Sequence, residues 1–101
     1  MESIALNMCA CYLKLKQYPE ALKEANTALL INKSAKGLFR RGKAYMGIGE
    51  LEKAKIDFQE AEKIVPNDRE VREALRVVNK RLIKQEENRR KFFLKLFSGN
   101  K

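Results

Sequence analysis

The sequence predicts an all-α fold of helical hairpins stacked side by side and closed by one long terminal helix. Three observations lead there. Apolar residues recur at helical spacing in four short segments. The pattern that starts at Glu2 returns at Ala35, a period near the 34 residues or so of a two-helix repeat. From Asp68 to Phe97 no glycine or proline interrupts the chain.

Ile4, Leu6, Met8, Cys11, Tyr12 and Leu15 trace the apolar side of a first helix, which stops near Lys16 and Gln17. Pro19 then sits where a proline in the first helical position belongs, opening a second helix that carries Ala21, Leu22, Ala25, Ala28 and Leu29. The polar turn Asn32, Lys33, Ser34 ends it, and Ser34 is the expected N-cap of the third helix, Ala35 to Gly47. Gly37 and Gly42 lie inside that helix, where an exposed glycine costs about 1 kcal/mol relative to alanine. A packing role is therefore expected of them, letting a neighbouring helix come close. Gly47 and Gly49 bracket Ile48 and close the helix, and a fourth runs from Glu50 to Val65 before Pro66. Asn67 or Asp68 is expected to cap the last helix, which continues to Phe97 before Ser98 and Gly99 break it. Val71, Leu75, Val78 and Leu82, spaced by four, three and four, are expected to cover the open side of the preceding hairpin.

Composition bounds the function. A chain of 101 residues holds one small core and leaves no space for a catalytic domain of ordinary size. Lys and Arg number 22 against 13 Asp and Glu, a net charge of +9, which favours acidic partners. There is no histidine, no glycine-rich phosphate loop and no serine or cysteine beside a base, so no enzyme, cofactor or metal site is expected. Cys9 and Cys11, two residues apart on a helix, point in different directions and are expected to be small packed residues in a reducing compartment. No apolar run reaches the 20 residues or so of a membrane span, and the expected location is the cytosol, with the nucleus also open. Nucleic acid is a rival for the basic charge, but no recognition motif accompanies it, so neither nucleic acid nor membrane is expected as a partner.

Leu38, Phe39, Gly42, Tyr45, Ala54, Phe58, Ala61 and Pro66 fall at the spacings of a tetratricopeptide repeat. The copy beginning at Glu2 keeps Tyr12, Leu15, Tyr18, Ala21 and Ala28, but has Cys9 for the glycine, Ala25 for the aromatic and no closing proline. The expected organisation is a repeat over residues 1–33, a second over 34–67, a capping and extension helix over 68–97 and a disordered tail over 98–101. Stacked hairpins present their first helices along a concave groove. Asn7 holds the sixth position of the first copy, and Lys36 and Arg40 the second and sixth positions of the other, four residues apart on one helical face. Such a trio can hold a carboxylate: arginine brings a fork of donors, lysine a mobile ammonium, asparagine an amide for peptide backbone.

Leu6-Asn7-Met8, Cys11-Tyr12-Leu13-Lys14-Leu15 and Ala35-Lys36-Gly37-Leu38-Phe39-Arg40-Arg41-Gly42-Lys43-Ala44 resemble the last two repeats of the large immunophilins, FKBP-type and cyclophilin-type peptidyl-prolyl isomerases. The terminal Lys91-Phe92-Phe93-Leu94-Lys95-Leu96-Phe97 is similar to the family's basic-aromatic helix end. The resemblance implies a co-chaperone's carboxylate clamp for the C-terminal Met-Glu-Glu-Val-Asp of the ninety-kilodalton heat-shock chaperone, with Asn7, Lys36 and Arg40 matching clamp positions. A full clamp also takes a Lys and an Asn from a first repeat, and the isomerase domain precedes the repeats. The two repeats here correspond to the second and third of three, so no isomerase activity and a weakened grip are expected.

From Lys84 to Lys91 the sequence is wholly polar, and Phe92, Phe93, Leu96 and Phe97 follow. Arg69 to Lys95 holds ten basic residues against four acidic ones. Two occupants suit this end: a second copy of the chain, drawn to exposed aromatics, or a hydrophobic, acidic groove such as calmodulin's, which takes basic helices with aromatic anchors. The resemblance to the FKBP-type immunophilins also implies calmodulin.

Overall fold

In the computed structural model residues 2–98 are described, and they form five helices: α1 (Glu2–Lys14), α2 (Tyr18–Ile31), α3 (Ala35–Gly47), α4 (Leu51–Ile64) and α5 (Arg69–Ser98). Each helix packs against the next, and α1 also touches α3, so α1, α3 and α5 line one side while α2 and α4 back them. This is the expected all-α hairpin stack with a long terminal helix.

The caps explain the helix bounds. Ser34 Oγ accepts from the Gly37 amide at 3.0 Å, and Asp68 Oδ1 accepts from the Val71 amide at 3.0 Å, which settles Asp68 over Asn67 as the last cap. Pro19 falls one residue inside α2, because Tyr18 already has helical geometry behind Gln17. Ser98 does not break α5. It is the last helical residue, and its hydroxyl donates to the Leu94 carbonyl at 2.8 Å, which serves the helix in place of ending it. The rest of the expected disordered tail lies outside the described residues.

Both hairpin turns are built alike. After α1, the Lys16 and Gln17 amides donate back to the Leu13 and Tyr12 carbonyls, with Lys16 at φ 59°. After α3, the Gly49 and Glu50 amides donate to the Met46 and Tyr45 carbonyls, with Gly49 at φ 85°. Lys16 and Gly49 hold the same position in their two repeat copies, and a left-handed residue there lets the chain reverse in few residues. Glycine takes that conformation freely, whereas a side chain is strained in it by about 1–2 kcal/mol.

Small residues set the depth of packing. Cys9, Ala21, Ala25 and Ala44 form one buried cluster; Ala5, Leu6 and Ala28 another; Leu38, Ala61 and Val71 a third. The fourth gathers Ala54, Phe58, Ala74 and Val78, with Leu75 and Leu82 packed on its edge, so α5 does cover the α3–α4 hairpin with its Val71–Leu82 stripe. Gly42 faces Phe58: a methyl group on it would stand 2.4 Å from Phe58 Cε1. Gly37 faces Leu29 in the same way. Cys9 is fully buried as expected, but Cys11 is exposed, because two residues carry it 200° around α1 and away from α2.

Beyond Leu82 every described side chain of α5 is exposed. The helix leaves the body as a rod, and the molecule measures 61 × 28 × 20 Å with a radius of gyration of 16.3 Å, against about 13 Å for a compact domain of this length.

Two substitutions report on these features. Gly42→Ala should lower the unfolding free energy by about 1–3 kcal/mol, since the Phe58 ring is walled in and cannot yield. Lys16→Gly should raise it by up to about 1 kcal/mol by removing left-handed strain. Urea titration followed by circular dichroism checks both; equal midpoints for Gly42→Ala and wild type would contradict the close-approach argument.

Candidate peptide-binding site

The groove face of α3 is made by residues three and four apart: Lys36, Phe39, Arg40, Lys43 and Met46. The opposite side of the same helix is spent on the core through Leu38 and Gly42, and on Arg41. Arg41 donates from Nε and Nη2 to the two Asp57 carboxylate oxygens at 2.7 and 2.8 Å, and from Nη1 to Asn26 at 3.1 Å. Asp57 is 3% exposed, so this fork ties α2, α3 and α4 at one point. The bond to Asp57 holds the guanidinium above its ordinary pKa, against the opposing effect of burial.

Arg40, the next residue, reaches the other way. Its Nη1 donates to the Leu6 carbonyl of α1 at 2.8 Å, spanning 34 positions in sequence. The guanidinium is thereby placed against the residue that precedes Asn7; burial raises the pKa of the nearby Cys9 thiol, and the Arg40 charge opposes that rise without cancelling it. Arg40 is half-buried, whereas Asn7 and Lys36 are exposed. Among the described residues the Asn7 amide has no hydrogen bond and Lys36 no ion pair. Lys36 borders a cleft of about 320 Å³ between the starts of α3 and α5, with Phe39, Val65 and Val71 as apolar walls and Asp68 and Glu70 on its rim. Asn7 and Arg40 are thus linked through the α1 backbone, and Lys36 stands one turn before Arg40.

The groove also holds residues that repeat register alone did not single out. Between α3 and α5 a cleft of about 410 Å³ is lined by apolar Phe39, Met46, Ala74 and Val77, by the cations Lys43, Arg69 and Arg81, and by the acids Glu70 and Glu73. The signal for Lys43 was present, three residues beyond Arg40 on the same face; Arg81 depends on where α5 crosses, which the sequence does not state. No group of metal-ligating residues is found among the described residues. None of the described helices is long and apolar enough to cross a membrane. The aromatic end of α5 stands far from this groove, with Phe92, Phe93, Leu94, Leu96 and Phe97 between 49% and 76% exposed.

A stack of helical hairpins with a side-chain-lined groove along its first helices defines a protein-interaction module. The tetratricopeptide-repeat profile matches residues 35–68. Human FKBP4, a peptidyl-prolyl cis-trans isomerase, is 34% identical over 93 residues, which cover 91% of this chain and 20% of that protein. Among solved structures, the C-terminal TPR-containing domain of a Plasmodium falciparum FK506-binding protein matches 85% of this chain and 58% of its own at TM-score 0.82 and 33% identity. The first TPR of Spaghetti (RPAP3), bound to the HSP90 peptide SRMEEVD, matches 82% of this chain and 67% of its own at TM-score 0.79 and 30% identity. The chain belongs to the tetratricopeptide-repeat family, and its repeats are similar to the repeat regions of FKBP-type isomerases. It spans about a fifth of the length of the curated relatives it matches, and the matched fifth is repeat and not catalytic domain.

The contrast between the two cysteines gives a direct check on the α1–α3 junction. Iodoacetamide should alkylate Cys11 readily and Cys9 only on unfolding, because burial keeps the Cys9 thiol protonated and out of reach. Mass spectrometry of the modified chain distinguishes the sites; equal labelling rates in buffer would contradict the packing of α1 on α2 and α3.

Proposed function

We propose that this chain is part of a carboxylate clamp that grips the acidic C-terminal peptide of the ninety-kilodalton heat-shock chaperone, with Asn7, Lys36 and Arg40 as its contacts. The observation that carries the reading is the Arg40 bond to the Leu6 carbonyl. It fixes a cation on the groove side of α3 against the α1 turn that bears Asn7, so one ligand carboxylate could meet an arginine fork and an amide together. Lys36, exposed and without an ion pair among the described residues, supplies a second positive charge one turn away. The RPAP3 neighbour lends support, since it is bound to an HSP90 peptide ending Glu-Glu-Val-Asp.

Hydrogen bonds to a charged group contribute about 1.5–3 kcal/mol, so Lys36→Ala and Arg40→Ala should each weaken a Met-Glu-Glu-Val-Asp peptide by roughly tenfold or more in isothermal titration. Lys36→Ala is the cleaner test, because Arg40→Ala also removes the bond to α1. Full affinity in both variants would end the clamp assignment.

A second reading concerns the end of α5. Phe93 and Phe97 stack with ring centroids 4.9 Å apart beside exposed Phe92, Leu94 and Leu96, an apolar patch that suits a second copy of the chain. Sedimentation velocity should show a concentration-dependent dimer that Phe93→Glu abolishes; a monomer at all concentrations that shifts only with calcium-loaded calmodulin would favour that occupant instead.

A further inference from the structure

We propose that Lys43 and Arg81 form a second anion-binding station in the groove, one that takes the side-chain carboxylates preceding the terminal residue of an acidic peptide. This rests on the peptide-clamp reading and extends it to residues outside the clamp.

A cleft of about 290 Å³ opens among the end of α1, the start of α2, α3 and α5, lined by Leu13, Tyr18, Lys43, Met46, Gly47 and Arg81. Its charged lining residues are both cations. The same two side chains border the adjoining cleft floored by Phe39, Met46 and Val77, so they stand at the junction of two spaces. Two cations facing a shared cleft repel each other, and an anion between them relieves that repulsion.

Neither is committed to a carboxylate of this chain among the described residues. Arg41, Arg76, Arg89, Lys33 and Lys63 all hold carboxylates within this chain. Lys43 and Arg81 hold none among the described residues, and neither has an acidic residue three or four positions away on its own helix. The nearest acids across the second cleft are Glu70 and Glu73, and Glu73 is already occupied by both nitrogens of the Arg76 fork. Lys43 Nζ rests over the Phe39 ring at 5.7 Å, which keeps the ammonium at the groove floor.

Spacing links this station to the clamp. Lys36, Arg40 and Lys43 follow one another at four and three residues along one face of α3, and with a rise of 1.5 Å per residue the set covers about 10 Å. An extended peptide advances about 3.3 Å per residue, so the distance holds roughly three of its residues. A terminal carboxylate held at the Lys36 end of this row therefore brings acidic side chains two and three residues upstream toward Lys43 and Arg81. An apolar residue between them would rest on Phe39, Met46 and Val77. The ligand class is an acidic peptide ending acid-acid-apolar-acid.

The test titrates the full chain with two peptides, one ending Met-Glu-Glu-Val-Asp and one ending Met-Gln-Gln-Val-Asp. Both Lys43 and Arg81 are exposed, so the Lys43→Ala/Arg81→Ala double variant should keep the wild-type circular dichroism and melting curve. Wild type should bind the glutamate peptide about fivefold more tightly than the glutamine peptide, and the double variant should bind the two alike. Arg40→Ala is the reference: it should weaken both peptides. The station is overturned if the double variant keeps the full glutamate preference, or if it weakens both peptides equally. If Arg40→Ala leaves both affinities unchanged, or wild type binds neither peptide, the clamp reading fails and takes this one with it; loss in Arg40→Ala alone removes only the station.

Discussion

The close contact between Gly42 and Phe58 is the constraint on which the other packing distances depend. Phe58 is fully buried, and burying a ring of that size contributes about 2–3 kcal/mol. It can lie where it does only because α3 offers a bare backbone at Gly42, which brings α4 close behind α3. With α4 at that depth, Ala54 and Ala61 are buried on either side of the ring, and Ala74 and Val78 of α5 close over it. The distance that admits the ring also admits the Arg41–Asp57 fork one residue away. A buried carboxylate without a partner would cost several kcal/mol, so the fork fixes which face of α3 turns inward. The groove face is whatever that choice leaves outside.

The existence of the five helices was legible because each has its own period and punctuation: Ser34, the Gly47–Gly49 bracket, Pro66 and Asp68 bound them in the sequence as they do in three dimensions. Ser98 misled because serine in a last turn can either end a helix or bond back into it, and composition does not choose between these. Cys11 misled because Cys9 and Cys11 share a helix but not a face, and only the site that faces α2 and α3 is dry. The candidate site was half legible. Repeat register named Lys36 and Arg40, which share a helix, but the bond from Arg40 to the Leu6 carbonyl spans two hairpins and has no local signature. Arg81 enters the groove only because of the angle at which α5 crosses α3, a tertiary property with no sequence motif.

The exposed half of α5 keeps its helical form without a core to lean on. Glu86 pairs with Arg89, as Glu73 does with Arg76 in the packed half, each three residues apart and with fork geometry, and these bonds draw the glutamate pKa values below the ordinary range. Both pairs are solvent-exposed, so their effect is local order and not much stability. Phe93 and Phe97, four residues apart, add a ring contact on one side of the last turns. The result is a basic rod with an apolar, exposed end.

Arg40 and Arg41 show how one helix divides its work. They are adjacent and chemically identical, yet helical geometry turns them about 100° apart. Arg41 meets a buried carboxylate, satisfies its fork within the chain and has little left to offer a ligand. Arg40 meets only a backbone carbonyl, a neutral acceptor that engages Nη1 and leaves the positive charge uncompensated. A cation that is positioned but not neutralised is what an anion-binding groove requires, because the ordering of a long side chain has been met in the free protein before any ligand arrives. The same holds in weaker form for Lys43, which leans on a ring and not on an acid. The core takes the arginine that has a buried acid to bind, and Lys36, Arg40 and Lys43 stay on the groove face with no ion pair among the described residues.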